Sequence, residues 1–151
     1  MACSGDACVY PWSDDGGNGT HVAGTAAATD RPAGTLGVAP DATLHALKVC
    51  DGSGRCRSSA VLEAIRFAAD QGWDVVNLSL GSGQPSTALQ AAGAYALAAG
   101  AVPVAAAGNQ GRVRSVSHPA AYEEFIHLSA PTLDDDIARS LSRRDGVDHA
   151  A

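Results

Sequence analysis

The stretch Val75-Val76-Asn77-Leu78-Ser79-Leu80-Gly81-Ser82-Gly83 opens as an apolar run and stops on glycine. A short apolar run bounded by turn residues reads as a buried strand. Beyond it a helix capped near Ser86 or Thr87 is expected, because Leu89, Ala92, Gly93, Ala96 and Leu97 recur on one face and Gly100 closes the pattern. Ala101-Val102-Pro103-Val104-Ala105-Ala106 is then a second buried strand, in which Pro103 requires an irregular or early position. Strand, helix and strand in so short a span imply a βαβ unit and a parallel pair.

The same cadence runs upstream. Thr43-Leu44-His45-Ala46-Leu47-Lys48-Val49 is expected as a strand ended by a Gly/Ser turn. Ser58 or Ser59 is then expected to cap a helix, with Val61, Ala64, Ile65, Ala68 and Ala69 at i, i+3, i+4, i+7 and i+8. Glu63 is placed in its first turn, where a negative charge is favoured, and Gly72 ends it. The fold class is therefore α/β, a parallel sheet flanked by helices. At 151 residues the chain is one domain by length. No repeat, low-complexity tract or internal linker is visible, and the stretch from Asp134 to Ala151 is polar and weakly patterned.

In open parallel sheets, ligands bind beyond the carboxyl ends of the strands. Two such ends are glycine-rich here, Ser79-Leu80-Gly81-Ser82-Gly83 and Ala106-Ala107-Gly108-Asn109-Gln110-Gly111. Taken alone each is an ordinary turn. Neither matches the spacing of a phosphate loop or a dinucleotide fingerprint, so a nucleotide-binding domain has little support. The Asn109 carboxamide is able to donate a hydrogen bond to an oxyanion, and its glycine neighbours let a carbonyl approach.

The block Gly17-Asn18-Gly19-Thr20-His21-Val22-Ala23-Gly24-Thr25 sets a histidine between a glycine-rich turn and very small residues. Glycines permit a sharp turn and close approach, and the small residues suit a helix pressed into an interior. A histidine at such a junction has a pKa range suited to proton transfer.

This block resembles the catalytic-histidine segment of the subtilisin-like serine peptidases, usually written G-H-G-T-H-V-A-G-T. Asn18 stands where that family normally has its first histidine. The resemblance extends through Gly37-Val38-Ala39-Pro40-Asp41-Ala42, Val75 to Gly81, the strand leading to Asn109, His118-Pro119-Ala120 and Gly146 to Ala151, in family order. It implies a subtilisin-like fold, incomplete here, with residues 1–13 as a lead-in and 14–151 as a partial peptidase domain. It implies His21 as general base and Asn109 as oxyanion donor in a serine endopeptidase acting on polypeptides. Ser79-Leu80-Gly81 would pair with an extended substrate backbone, and Ala106-Ala107-Gly108 would line the pocket for the side chain before the scissile bond.

Such chemistry needs a nucleophile, a base and an orienting carboxylate. The family's aspartate lies in a D-[ST]-G motif well upstream of the histidine; Asp6, Asp14 and Asp15 lack that context, and the last two read as turn residues. Its serine lies in a G-T-S-M-A-type segment, and Ser79, Ser115, Ser117, Ser129 and Ser140 have no such surroundings. The chain alone is therefore expected to be silent as an enzyme. A non-catalytic module that binds peptide in the same cleft is the alternative, and a missing complementary segment of the domain is the expected partner.

Bulk properties narrow the rest. A net charge of −6 argues against a nucleic-acid partner. No run approaches the ~18 apolar residues of a membrane span, and no signal peptide is read at Met1 to Asp6. A secreted setting follows from the family resemblance, and the acidity points to a high-salt or secreted setting as well. Cys3/Cys8 and Cys50/Cys56 come as two close pairs without zinc-site spacing; each pair either closes a small loop as a disulfide, in an oxidising compartment, or stays as free thiols in a cytosol, and the glycines between Cys50 and Cys56 favour a disulfide there. No cofactor is required. The family often carries structural calcium, but Asp134-Asp135-Asp136 reads as a solvated loop rather than a cage of six or more oxygens. His45, His118, His127 and His149 have no ligand spacing and read as solvated or packed.

Overall fold

The computed structural model describes residues 2–4, 7–9, 13–32, 34–110 and 115–129. The Asp134–Asp136 loop, Ser140, His149 and the segment from Gly146 therefore lie outside the described residues. The chain divides into two compact units, Met1–Ala60 and Val61–Ala151.

In the first unit, β1 (Ala2–Ser4) and β2 (Ala7–Val9) form an antiparallel pair that sets Cys3 opposite Cys8. Helix α1 (Asn18–Ala27) follows, entered through Gly17 at φ 78°, a left-handed conformation natural to glycine. Gly17 has no side chain to cap the helix. The Asp14 carboxylate does so from outside, accepting from the N–H groups of Gly16 at 3.1 Å, Gly17 at 2.9 Å and Thr20 at 2.7 Å. At the other end, Gly37, Val38 and Ala39 donate to the carbonyls of Ala28, Thr25 and Ala26. A Cβ on Gly37 would fall under 3.0 Å from the Ala27 and Ala28 backbone, so only glycine passes there.

Two expectations fail in this unit. Thr43 to Val49 forms no ladder, and the first pairing after it is the isolated bridge Cys50↔Cys56. A strand requires a neighbour to satisfy its amides, and the described sheets supply none to this segment. No residue of α1 is buried, although its small side chains read as those of a packed helix. Leu36, Val38 and Leu44 are likewise exposed. The Cys50–Cys56 disulfide forms as expected.

The second unit takes in most of α2 (Ser58–Asp70), with β3 (Val75–Leu78), α3 (Thr87–Ala98), β4 (Val102–Ala106) and β5 (Ile126–Leu128). The strands form one parallel sheet in the order β3-β4-β5, with Val75 opposite Val102 and Val104 opposite Ile126. Val61, Ile65, Ala68 and Ala69 of α2 are buried, as their spacing predicts. Ser58 and Ser59, expected as caps, are instead the first two residues of α2, so Glu63 is its sixth residue and lies beyond the first turn, which holds no acidic side chain. Ser86 caps α3, accepting from the Leu89 N–H at 3.3 Å.

Both helices end alike. Trp73 donates to Ala68 O and Gly72 to Ala69 O; Ala101 donates to Ala96 O and Gly100 to Leu97 O. This doubled closure needs a left-handed residue, and Gly72 and Gly100 supply it at φ 68° and 91°. Pro103 sits buried in the central strand without costing a ladder bond. Val102 donates to Asp74 O on the β3 side, so the nitrogen of Pro103 faces β5, whose pairing starts one residue later at Val104. The core is rich in alanine: Ala92, Ala96, Ala101, Ala105, Ala107 and Ala120 are buried, as are Ile65, Leu78 and Phe125.

Candidate functional site

Parallel pairing of β3 with β4, with Leu78 opposite Ala105, brings the two glycine-rich carboxyl ends side by side. Ser79, Leu80 and Gly81 leave β3 with their backbone outside any described ladder; Ser79 and Gly81 are exposed and Leu80 is half-buried. Ala106 ends β4 opposite Leu128, and Ala107 and Gly108 leave it. Ala107 is buried, donating to Leu128 O at 2.9 Å, and Gly108 turns the chain at φ 100°. Asn109 follows, exposed, at the bend. The six cleft residues expected from the sequence and Asn109 therefore share one edge of one sheet. The Asn77 carboxamide donates to Ser79 Oγ at 3.0 Å, steadying the first loop.

The strap that joins the two loops was not legible in the sequence. Ser117 N–H donates to Ala107 O at 2.8 Å, while His118 and Ser82 exchange N–H···O bonds of 2.8 and 2.9 Å. Ser117 is buried against Gly81, where an added Cβ would meet the Ser117 Cβ at 2.8 Å. The His118 ring lies 4.7 Å from that of Tyr122, whose hydroxyl donates to Ser86 O at 2.9 Å and accepts from the Ser86 N–H. His118 thus stands packed, as expected, and its backbone performs the tie. The only signal available was the family-like His118-Pro119-Ala120.

His21 belongs to the first unit. It stands one turn into α1 and is exposed. Its N–H donates to Gly17 O at 3.0 Å, and its carbonyl accepts from Thr25 Oγ1 at 3.2 Å. The imidazole hydrogen-bonds to no described residue. The turn that leads into α1 is held by Asp14, whose carboxyl is lowered from 3.8 to about 2, foremost by the hydrogen bonds from Thr20, then by those from Gly16 and Gly17. Asp15, the other turn residue, pairs with Lys48, which also donates to Ser13 O at 2.7 Å. Among the described residues no cluster of three or more His, Cys, Asp or Glu is placed to hold a metal ion.

A model of the subtilase family matches residues 8–149. This chain belongs to the subtilase family. It is 47% identical over 121 residues to subtilisin DY of Bacillus licheniformis, covering 78% of this chain and 44% of that protein. It is 41% identical over 142 residues to subtilisin BL of Lederbergia lenta, covering 93% of this chain and 52% of that one. Among solved structures, sphericase superposes with a TM-score of 0.75 at 37% identity, covering 80% of this chain and 43% of its own. The chain thus spans about half the length of the curated relatives it matches. The incomplete α/β subtilisin-like fold expected from the sequence is what the subtilase relatives and the parallel sheet show.

Proposed function

We propose that this chain is the portion of a subtilisin-type serine endopeptidase domain that binds an extended polypeptide, and that it does not hydrolyse peptide bonds unaided. The observation that carries this is the shared edge of β3 and β4, with Ser79–Gly81 and Ala106–Gly108 side by side under the Ser117–His118 strap. An extended peptide has the geometry to add as a strand along Ser79-Leu80-Gly81, with one side chain directed to Ala106-Ala107-Gly108. Asn109 is then the oxyanion donor and His21 the base. The orienting aspartate and the nucleophilic serine find no carrier in the family's sequence contexts among these residues. In subtilisin, the relative on which the figure was measured, losing the serine costs roughly 10⁶ in turnover. The partner of this chain is accordingly a complementary segment of the same domain. By family resemblance its setting is extracellular, and its net charge of −6 disfavours nucleic acid.

Two measurements on the purified chain test this. A fluorophosphonate serine probe should leave it unlabelled, and an unreactive extended tetrapeptide should shift the amide resonances of Ser79 to Gly81. Stoichiometric labelling overturns the claim of silence. Unmoved Ser79–Gly81 resonances at millimolar peptide overturn the cleft.

A second reading is favoured by Asn18. The family's block carries two histidines, and this chain keeps only the later one, whose imidazole has no orienting partner among the described residues. A carboxamide takes up no proton. On this reading the family's base is the histidine that Asn18 replaces, and the chain is a non-catalytic peptide-binding module. Adding a complementary segment that carries the missing motifs decides between the two. Probe labelling of the unaltered chain that His21→Ala abolishes supports His21 as base; labelling that appears only with Asn18→His supports the module.

A further inference from the structure

Within the first unit, three contacts converge on the turn Ser13-Asp14-Asp15. Lys48 Nζ reaches it from one side, donating to Ser13 O and pairing with Asp15. Gly52 presses on it from another, since a Cβ at 52 would lie 3.2 Å from the Asp15 Cβ. Asp14, between the two gripped residues, holds the N-terminal turn of α1 through Gly17 and Thr20. Lys48 and Gly52 flank Cys50; Gly52 lies within the loop that the Cys50–Cys56 disulfide closes, and Lys48 lies just outside its neck. At its base Arg57 donates to Val49 O at 3.3 Å.

We infer that the Cys50–Cys56 loop is a redox-sensitive clamp on the Ser13–Asp15 turn, so that its thiol–disulfide state sets the order of the Asn18–His21 turn of α1. Apart from the disulfide, the loop is held by one isolated bridge, by the turn bond from the Gly54 N–H to Asp51 O at 2.9 Å, by the Arg55–Asp51 ion pair and by the bonds that Asp51 accepts from Ser53 and Arg55, all but the bridge between exposed residues. Exposed bonds across so small a pairing are marginal once the covalent link is gone. Residues 51–55 are all exposed, leaving the half-buried cysteines approachable at the neck of the loop.

The reaction is exchange with a dithiol. One of its thiolates attacks a sulfur of the Cys50–Cys56 bond, which breaks as a mixed disulfide forms. The second thiolate displaces the protein sulfur. The dithiol leaves as a cyclic disulfide, and the two cysteines take up its two electrons and two protons. Opening of the loop frees Gly52 directly and loosens the neck at Val49 and Arg57, through which Lys48 is held, so that Asp14 loses the support that aims its carboxylate at Thr20.

Amide hydrogen exchange on the full chain tests the clamp, in a Cys3→Ser/Cys8→Ser background so that Cys50–Cys56 is the one exchangeable pair. Reduction by dithiothreitol should speed exchange of the Gly17 and Thr20 amides by roughly tenfold, about the net worth of one hydrogen bond, and reoxidation should restore it. The β4 amides should not change. Lys48→Met should match the reduced chain while still oxidised, and reduction should add little more. Thr20 protection that is equal in both states, with both thiols shown free by alkylation, overturns the proposal. So does equal loss of protection in β4, which marks general unfolding, or a reductive response left whole by Lys48→Met.

Discussion

Gly93 of α3 lies against the ring of Phe125, close enough that a Cβ at 93 would fall under 3.0 Å from both the Cε2 and Cζ atoms. Phe125 is buried and precedes β5, so this contact sets how near α3 approaches the sheet. Gly93→Ala gains about 0.5–1 kcal/mol in helix propensity and loses about 1–3 kcal/mol to overpacking in a filled core. A net destabilisation of roughly 1–2 kcal/mol is expected by urea unfolding. Removing the ring with Phe125→Ala should cost more, about 3–5 kcal/mol.

Acid should loosen α1 before it loosens the sheet. The Asp14 carboxyl is held at about 2 in the fold against an ordinary 3.8. Its folded pKa is depressed, so the stabilisation is whole above the ordinary value and is lost as pH falls from about 3.8 through about 2. Exchange of the Thr20 amide, corrected for intrinsic rate, should accelerate across that window. Asp14→Asn should remove most of the pH dependence and show the faster exchange already at pH 6.

At the cleft, Gly81→Ala places a methyl against Ser117 and should push the strap from the first loop. About 1–3 kcal/mol of stability is at stake. The more telling readout is peptide binding by the Ser79–Gly81 loop, which should weaken more than stability alone accounts for. Equal binding by Gly81→Ala and the parent chain would show that the strap does not shape the cleft.

The Ser86 cap has two supports, its own hydroxyl and the Tyr122 phenol. Ser86→Ala should cost about 1 kcal/mol, the usual worth of a helix cap. Tyr122→Phe strips partners from both the N–H and the carbonyl of Ser86 and should cost about 1–2 kcal/mol. Thermal melts of the two single variants and the double variant would measure their coupling.

Sequence alone was most informative where a pattern is local. The α2 face from Val61 to Ala69, the Ser86 cap and the glycine stops at 72 and 100 follow from spacing and backbone chemistry. Pairing was less legible, because a ladder depends on what lies beside a segment. Thr43 to Val49 has strand composition and no ladder, whereas the three-residue β5 is too short for alternation to betray it. In the candidate site, Ser79–Gly81 and Ala106–Asn109 were readable as strand ends. The Ser117–His118 strap was hidden because its bonds are made by backbone atoms, which any residue carries. Asp14 read as a turn residue for the same reason: its three amide partners are set by the path of the chain.

The left-handed glycines after α2 and α3 lie at the amino ends of β3 and β4, on the far edge of the sheet from the cleft. Side chains along a strand alternate faces, so the count of residues between each stop and its strand fixes which ones point inward. One residue inserted between Gly100 and Val102 would put the whole of β4 half a repeat out of phase, turning Ala105 toward water and delivering the Ala106–Asn109 loop to the wrong face. The spacing of two remote turns is thus a ruler for a binding edge that neither of them touches.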